Sequence, residues 1–355
     1  EGYVCGLSGK WHLGGNLRPQ EGFTSWITTP HGHTTTFYGA DVIDGGMIRK
    51  EPAYLTDFWT DHAVRFIETD KDRPFFLMLA YNGPYGLGPS LLRPARNRHA
   101  QVYADKELPS FPREEVHPWQ FNNQQFINQP AAMRRYAAEV SGIDDGVGRV
   151  LETLKKHGLD ENTLVIFTGD QGLAGGHSGF WGMGDHTRPL TAYDWTMHVP
   201  LIWRHSGRIP AGRRSDLLVS NYDFLPSLLD YLGLSDKQGA EPRSPGRSYA
   251  AALRGGRSLE WENAVYYEFE NVRAIRTDRF KYIVRHPEGP NELYDLTADP
   301  GERTNLIDAA EHAALRTDLH QRLTDFFARY ADPKYDLWRG GKSKASRLSG
   351  KGKTR

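Results

Sequence analysis

The 355 residues carry a formal net charge of +0, with 25% charged and 38% hydrophobic residues, so no bulk field draws nucleic acid or an anionic membrane. Length and composition bound the chain to two domains or one large globular one, and no apolar run reaches membrane-spanning length. A single cysteine, Cys5, excludes an intrachain disulfide and leaves the redox compartment unreadable. Nine Trp and 17 Tyr suit a core and equally a sugar-like or aromatic pocket. The chain opens Glu1-Gly2-Tyr3 with neither Met nor signal peptide and reads as cut from something longer, so the missing signal says nothing about secretion.

Residues 2–15 are dense in glycine, which implies tight turns or close backbone approach. Lys10 and His12 alternate around Trp11. On an extended segment both point to one face, where a cation beside an imidazole suits an anion and the imidazole could also shuttle protons. Residues 21–49 read as loop-rich, and His31 and His33, with no third ligand in view, read as surface residues. Apolar residues at helical spacing predict a helix over 54–68, followed by a buried strand at 74–81 that ends in the polar turn Asn82-Gly83-Pro84-Tyr85-Gly86. A helix leading into a strand is the unit of a parallel sheet.

Residues 88–128 form one long excursion, of a length that tends to be functional. Arg93, Arg96, Arg98 and His99 cluster at its start, either a solvated charge run or a reader of an anionic substrate. The stripe from Met133 to Leu154 predicts a helix over 131–157, closed by Gly158. Its Asp144-Asp145 pair points about 100° apart and is read as solvent-facing rather than as a shared metal site.

The run Leu164-Val165-Ile166-Phe167 reads as a strand buried on both faces, ending in Thr168-Gly169-Asp170-Gln171-Gly172. In open α/β sheets, ligands sit beyond the carboxyl ends of strands, which puts Asp170 and Gln171 where chemistry happens. Their side-by-side hard oxygens suit Ca²⁺ or Mg²⁺. The glycine-rich loop after them offers His177, His186 and Arg188 to an anion. A short strand at 199–203 and a Gly-closed helix at 220–233, with Asp223 near its N-terminus, follow. Residues 237–247 read as a linker; beyond it, short antiparallel strands at 264–270, 272–277, 280–285 and 292–296 precede an amphipathic helix at 309–330 and a basic, core-free tail from Arg339 that reads as disordered.

In this order the pieces resemble the type I, formylglycine-dependent sulfatases of the alkaline phosphatase superfamily. Gly2-Tyr3 with Gly9-Lys10-Trp11-His12-Leu13-Gly14 is similar to that family's second signature, and Phe167 to Gly172 to its metal-binding turn. His177, Trp181-Gly182 and Tyr193 to Leu201 resemble the segment after it, and Glu292 to Leu296 with Asp299-Pro300, Glu302 and Asn305-Leu306 resembles its C-terminal hallmark. The resemblance implies an α/β fold, an alkaline-phosphatase-like α/β/α sandwich with a large mixed sheet plus a small C-terminal α+β domain with an antiparallel sheet. The expected division is a catalytic domain over 1–245, a C-terminal subdomain over 246–335 and the tail over 336–355.

The implied reaction is hydrolysis of a sulfate ester or sulfamate. A Cys or Ser oxidised to formylglycine attacks sulfur beside one divalent ion, usually Ca²⁺, with Mg²⁺ the other candidate. Carried over, Asp170 and Gln171 are metal ligands, Lys10 holds the sulfate and His12 moves the proton that releases it. The nucleophile signature, Cys or Ser then x-Pro-x-Arg, is absent, as is the family's paired-Asp motif. Both are expected upstream of residue 1, which makes this stretch alone an inactive fragment; Cys5 is in the wrong motif to replace the nucleophile. Tyr85 stands where the family commonly has His, and Met183 where it commonly has a sulfate-binding Lys, so His186 or Arg188 is expected to supply the missing charge. The substrate expected is a sulfate ester, small or on a sulfated carbohydrate, and the full-length parent is expected to be periplasmic or secreted. A phosphodiesterase or phosphonate hydrolase of the same superfamily, and a non-catalytic carbohydrate-binding relative, are the alternatives. The account requires Lys10 and His12 to converge with Asp170 and Gln171 on one anion site.

Overall fold

Residues 21–49, read as loop, contribute most of three strands of a mixed sheet. In the computed structural model, which describes residues 2–32, 36–85, 88–237, 244–256 and 261–341, the chain forms two compact units. The first comprises Glu1–Glu114 and Asn123–Val165, the second Glu115–Asn122 and Ile166–Arg355.

In the first unit, β1 (Val4–Gly9), β2 (Ser25–Thr28), β3 (Tyr38–Asp44), β4 (Met47–Tyr54) and β5 (Phe75–Ala80) lie in the order β4-β3-β2-β1-β5. β1 runs parallel to β2 and β5, while β2–β3 and β3–β4 are antiparallel, so the sheet is mixed as the resemblance implied. Gly45 and Gly46, both at positive φ, make the two-residue hairpin between β3 and β4. Helix α1 (Leu55–Asp70) turns Leu55, Phe58, Trp59, Ala63, Phe66 and Ile67 inward at the predicted spacing. Helix α2 (Pro130–Lys156) matches its stripe and ends at Gly158, which takes positive φ.

Two apolar runs are less covered than their composition implies. β5 is the edge strand, and Phe76 and Met78 on one of its faces are 46% and 39% exposed. β6 (Val165–Thr168) pairs with β7 (Leu201–Arg204) in a two-stranded sheet, and its Phe167 is 38% exposed. A run of apolar residues reports strand propensity; burial depends on what packs above it, and periodicity does not encode that.

The arginine cluster of the excursion is absorbed by structure. Arg98 Nε and His99 Nε2 both lie 2.7 Å from Asp145 Oδ2 on α2, the Arg96 guanidinium stacks 4.1 Å over the Tyr38 ring, and Asn97 Nδ2 donates to the Ala138 carbonyl at 2.8 Å. These contacts pin the loop to the helix and to Tyr38 through Arg96, Asn97, Arg98 and His99, while Arg93 is exposed. His31 is exposed, and His33 lies outside the described residues.

In the second unit, β8 (Ala264–Phe269), β9 (Val272–Thr277), β10 (Phe280–Arg285) and β11 (Glu292–Asp295) form the predicted antiparallel sheet. It is covered on both faces. Ile275, Tyr282, Val284 and Leu293 pack on Leu319, Leu323 and Phe327 of the last helix, while Val272, Ala274, Ile283 and Tyr294 pack on Phe180, Leu190 and Tyr193 of the glycine-rich loop. The short helix α3 (Asp194–Met197) follows that loop. Helix α4 (Asn221–Leu232) begins with a Ser220–Asp223 capping box and ends at Gly233, and it is followed by α5 (Ala250–Leu253) and α6 (Ala313–Tyr330). The tail beyond residue 341 lies outside the described residues. No helix among the described residues is long and apolar enough to cross a membrane.

Candidate active-site residues

Lys10 leaves the carboxyl end of β1, and its N–H bonds the Ala80 carbonyl at 2.7 Å, where β5 also ends. The register Gly9↔Ala80 thus sets two strand exits side by side: one leads to Lys10 and His12, the other to Tyr85. Trp11 is buried edge-on against Trp26 and Phe23, at 5.2 and 5.7 Å between ring centroids. To either side of it Lys10 is half-buried and His12 exposed, the alternation expected of an extended segment. Asn16, which the sequence did not single out, fixes this turn. Its Nδ2 donates to the carbonyls of Trp11 at 3.0 Å and Thr29 at 2.7 Å, and its own carbonyl accepts from Trp26 Nε1 at 2.7 Å.

The His12 ring lies flat against Gly32, so that a Cβ on residue 32 would collide with the imidazole. Gly32→Ala is therefore expected to displace the His12 imidazole from this position. The His12 imidazole resonances in an NMR spectrum check it. Gly15→Ala, where a Cβ meets nothing within 4 Å, serves as the control that leaves them in place.

In the second unit, Asp170 and Gln171 are exposed at the carboxyl end of β6, and the Gly172 N–H bonds the Thr196 carbonyl of α3 at 3.0 Å. The next residue group is built on the same support. The His177 ring stacks on Trp195 at 4.1 Å and 22°, and its Nδ1 lies 2.7 Å from the Ala174 carbonyl. That bond assigns the proton to Nδ1 and leaves Nε2 as the acceptor. α3 is itself held from below. Lys281, fully buried on β10, places its ammonium 2.5 Å from Asp194 and 2.7 Å from Glu302, and donates to the Ala192 carbonyl at 3.2 Å. Glu302 also accepts from the Asp194 N–H at 2.6 Å. An ion cluster on the C-terminal sheet thereby braces the residues on which His177 and the Asp170 turn lean.

Residues Glu115–Asn122, the far end of the excursion, return to this loop. The His117 N–H bonds Gly179 at 3.0 Å, the Arg188 N–H bonds Trp119 at 2.8 Å, the Phe121 N–H bonds His186 at 3.1 Å, and Gln120 forms an antiparallel bridge with Thr187. The buried Gln120 side chain donates to the Trp181 carbonyl at 2.7 Å and accepts from its N–H at 3.1 Å. Nothing in the sequence marks this pairing, which joins stretches some sixty residues apart. Burial lowers the His186 pKa against the pull of Asp185, with Arg188 lowering it further, which favours the neutral imidazole. The permanent charge of this loop is then that of Arg188, which is exposed.

Asp170 and Gln171 carry three side-chain oxygens between them, whereas Ca²⁺ takes roughly six to eight. Among the described residues no group of three or more His, Cys, Asp or Glu gathers as a metal site. Asp170 and Gln171 therefore fit part of a coordination shell.

The sulfatase family model matches residues 1–234, and the model for the C-terminal part of N-sulphoglucosamine sulphohydrolase matches residues 182–329. An N-acetylglucosamine-6-O-sulfatase of Bacteroides thetaiotaomicron is 27% identical, over 93% of this chain and 71% of its own. An endo-4-O-sulfatase of the same organism is 28% identical, over 75% of this chain and 54% of its own. A solved structure of a protein in complex with its substrate, D-glucosamine-2-N,6-O-disulfate, superposes with a TM-score of 0.75 at 24% identity, covering 94% of this chain and 81% of that one. That likeness establishes the fold, and with the family match over residues 1–234 it leads to one conclusion: the chain belongs to the sulfatase family, whose curated relatives are sulfuric ester hydrolases.

Proposed function

We propose that this chain serves the hydrolysis of sulfate esters, or of sulfamates, carried on a sulfated carbohydrate. The observation that carries the reading is the Lys10-Trp11-His12 turn at the carboxyl end of a central parallel strand. The indole anchors it in the core, and Lys10 and His12 lie on either side of that anchor. The sulfated amino sugars named for two of the relatives support the substrate class.

In this proposal the Lys10 ammonium holds the sulfate oxygens, on which negative charge grows as the ester bond breaks. His12 carries the proton that frees the product. Tyr85, His177 and His186 hydrogen-bond the substrate, and Arg188 pairs with an anionic group on it. Asp170 and Gln171 would hold part of the shell of a Ca²⁺ or Mg²⁺ ion, the ion would neutralise sulfate charge, and a formylglycine hydrate would supply the attacking oxygen. The Cys or Ser that would carry the formylglycine is not among these residues, so what they contribute is binding and proton transfer.

The test of the reaction class is release of free sulfate from N-acetylglucosamine 6-sulfate by the whole protein, beside release of phosphate from the corresponding phosphate ester. Faster sulfate release is expected, and faster phosphate release overturns the reading. The metal arm has its own measurement. Asp170→Asn, which removes one negative charge from the shell, is expected to weaken Ca²⁺ binding in a calorimetric titration by about tenfold or more. Wild-type affinity in the variant removes Asp170 from the shell.

A further inference from the structure

Phe121 is a large apolar side chain at the end of the Glu115–Asn122 segment, and it is 54% exposed. Its backbone is not loose: the Phe121 N–H is bonded to His186, and the neighbouring Gln120 is locked to Thr187 and Trp181. The chain therefore holds an aromatic face towards solvent on a fixed support. The Arg188 guanidinium lies 4.7 Å from the centroid of that ring. Its side-chain hydrogen bonds both come from Nη1 and go to backbone carbonyls, of Asp185 at 3.0 Å and Thr187 at 2.7 Å. Among the described residues no carboxylate pairs with it, so its charge is spent on no ion pair. Beside it, Asn122 Nδ2 lies 3.4 Å from His186 Nδ1.

An exposed aromatic ring with a guanidinium over one face, its other face left to a ligand, and an amide alongside match one kind of ligand. A pyranose ring has an apolar C–H face that lies on an aromatic ring, and hydroxyls at its rim that bond an amide. A sulfate or carboxylate on it pairs with a guanidinium through two parallel N–H bonds. A short apolar peptide would not use the arginine, and inorganic sulfate would not use the phenyl ring. We propose that Phe121 and Arg188, with Asn122 beside them, form a subsite for an anionic sugar ring of a polysaccharide substrate. The inference rests on the sulfatase reading and adds to it the residue that distinguishes a sugar chain from a bare sulfate.

The experiment measures binding of two probes, a heparin-derived tetrasaccharide and inorganic sulfate, to the wild-type chain, Phe121→Ala and Phe121→Trp. The ratio of tetrasaccharide affinity to sulfate affinity is expected to fall about tenfold in Phe121→Ala and to recover in Phe121→Trp, which restores a stacking face. An unchanged ratio in Phe121→Ala, with the wild type binding both probes, overturns the subsite and leaves the sulfatase reading standing. A wild-type chain that binds neither probe overturns both.

Discussion

Lys281→Met is expected to destabilise the second unit by about 3–5 kcal/mol, because it leaves Glu302 in the protein interior without its cation and Asp194 with Arg276 alone. Lys281 is 0% exposed and lies within 2.7 Å of both Asp194 and Glu302. Burial alone would raise the pKa of either acid. At Asp194 the Lys281 ammonium and Arg276 overcome burial and hold the carboxyl below its ordinary value, whereas at Glu302 burial and the Asp194 charge prevail and push it up. Without the ammonium, Glu302 must take up a proton or the loop must open to water, while Asp194 keeps Arg276 at 3.4 Å. Urea unfolding followed by tryptophan fluorescence measures the loss. The double variant Lys281→Met with Glu302→Gln, which removes the stranded charge, is expected to recover part of it. A loss under about 1 kcal/mol for Lys281→Met alone would mean that the site is wetter than its burial indicates.

The second large effect is on pH dependence in the first unit. Glu139 of α2 is 2% exposed, accepts a short hydrogen bond from the Tyr54 hydroxyl, and has its pKa raised by burial from 4.5 to about 7, the Tyr54 bond working the other way. A carboxyl with a raised folded-state pKa favours the fold while it is protonated. Its contribution is fully present below about pH 4.5 and is lost as pH rises through about 7, on the order of 3 kcal/mol in all. The wild type is therefore expected to unfold at lower urea at pH 8.5 than at pH 5. Glu139→Gln, which keeps an acceptor for Tyr54 and cannot ionise, is expected to lose most of that difference and to be the more stable protein at pH 8.5. Parallel pH profiles for the two proteins would rule Glu139 out as the titrating group.

What the sequence made legible follows the strength of its periodic signals. α1, α2 and the strands β8 to β11 stand where hydrophobic spacing puts them, the helices with one face on a core and the sheet with both faces covered. β1 escaped detection, although it lies inside the mixed sheet, because Val4-Cys5-Gly6-Leu7-Ser8-Gly9 has few large apolar residues and reads as a glycine-rich loop. β2 to β4 escaped because their buried positions are a mixed set, Trp26 and Thr28 on β2, Ala40, Val42 and Ile43 on β3, and Glu51 and Tyr54 on β4, with no regular apolar alternation. The candidate residues stand out in the sequence where the side chain itself carries the proposed chemistry, as with Lys10, His12 and Asp170. Residues whose position depends on partners distant in sequence were illegible. Asn16 behind the Trp11 turn, Trp195 under His177 and the Gln120 lock on Trp181 are all of this second kind. Arg98 shows the converse hazard, since charge that looked free to meet a ligand is paired with Asp145.

The open side of β5 carries a practical warning. Among the described residues no strand pairs with its outer backbone groups, and Phe76 and Met78 stand exposed beside them, so this edge is a ready template for pairing with a further strand. A molar mass measured at high protein concentration would register such self-adhesion alongside any physiological assembly, and only a dilution series separates the two.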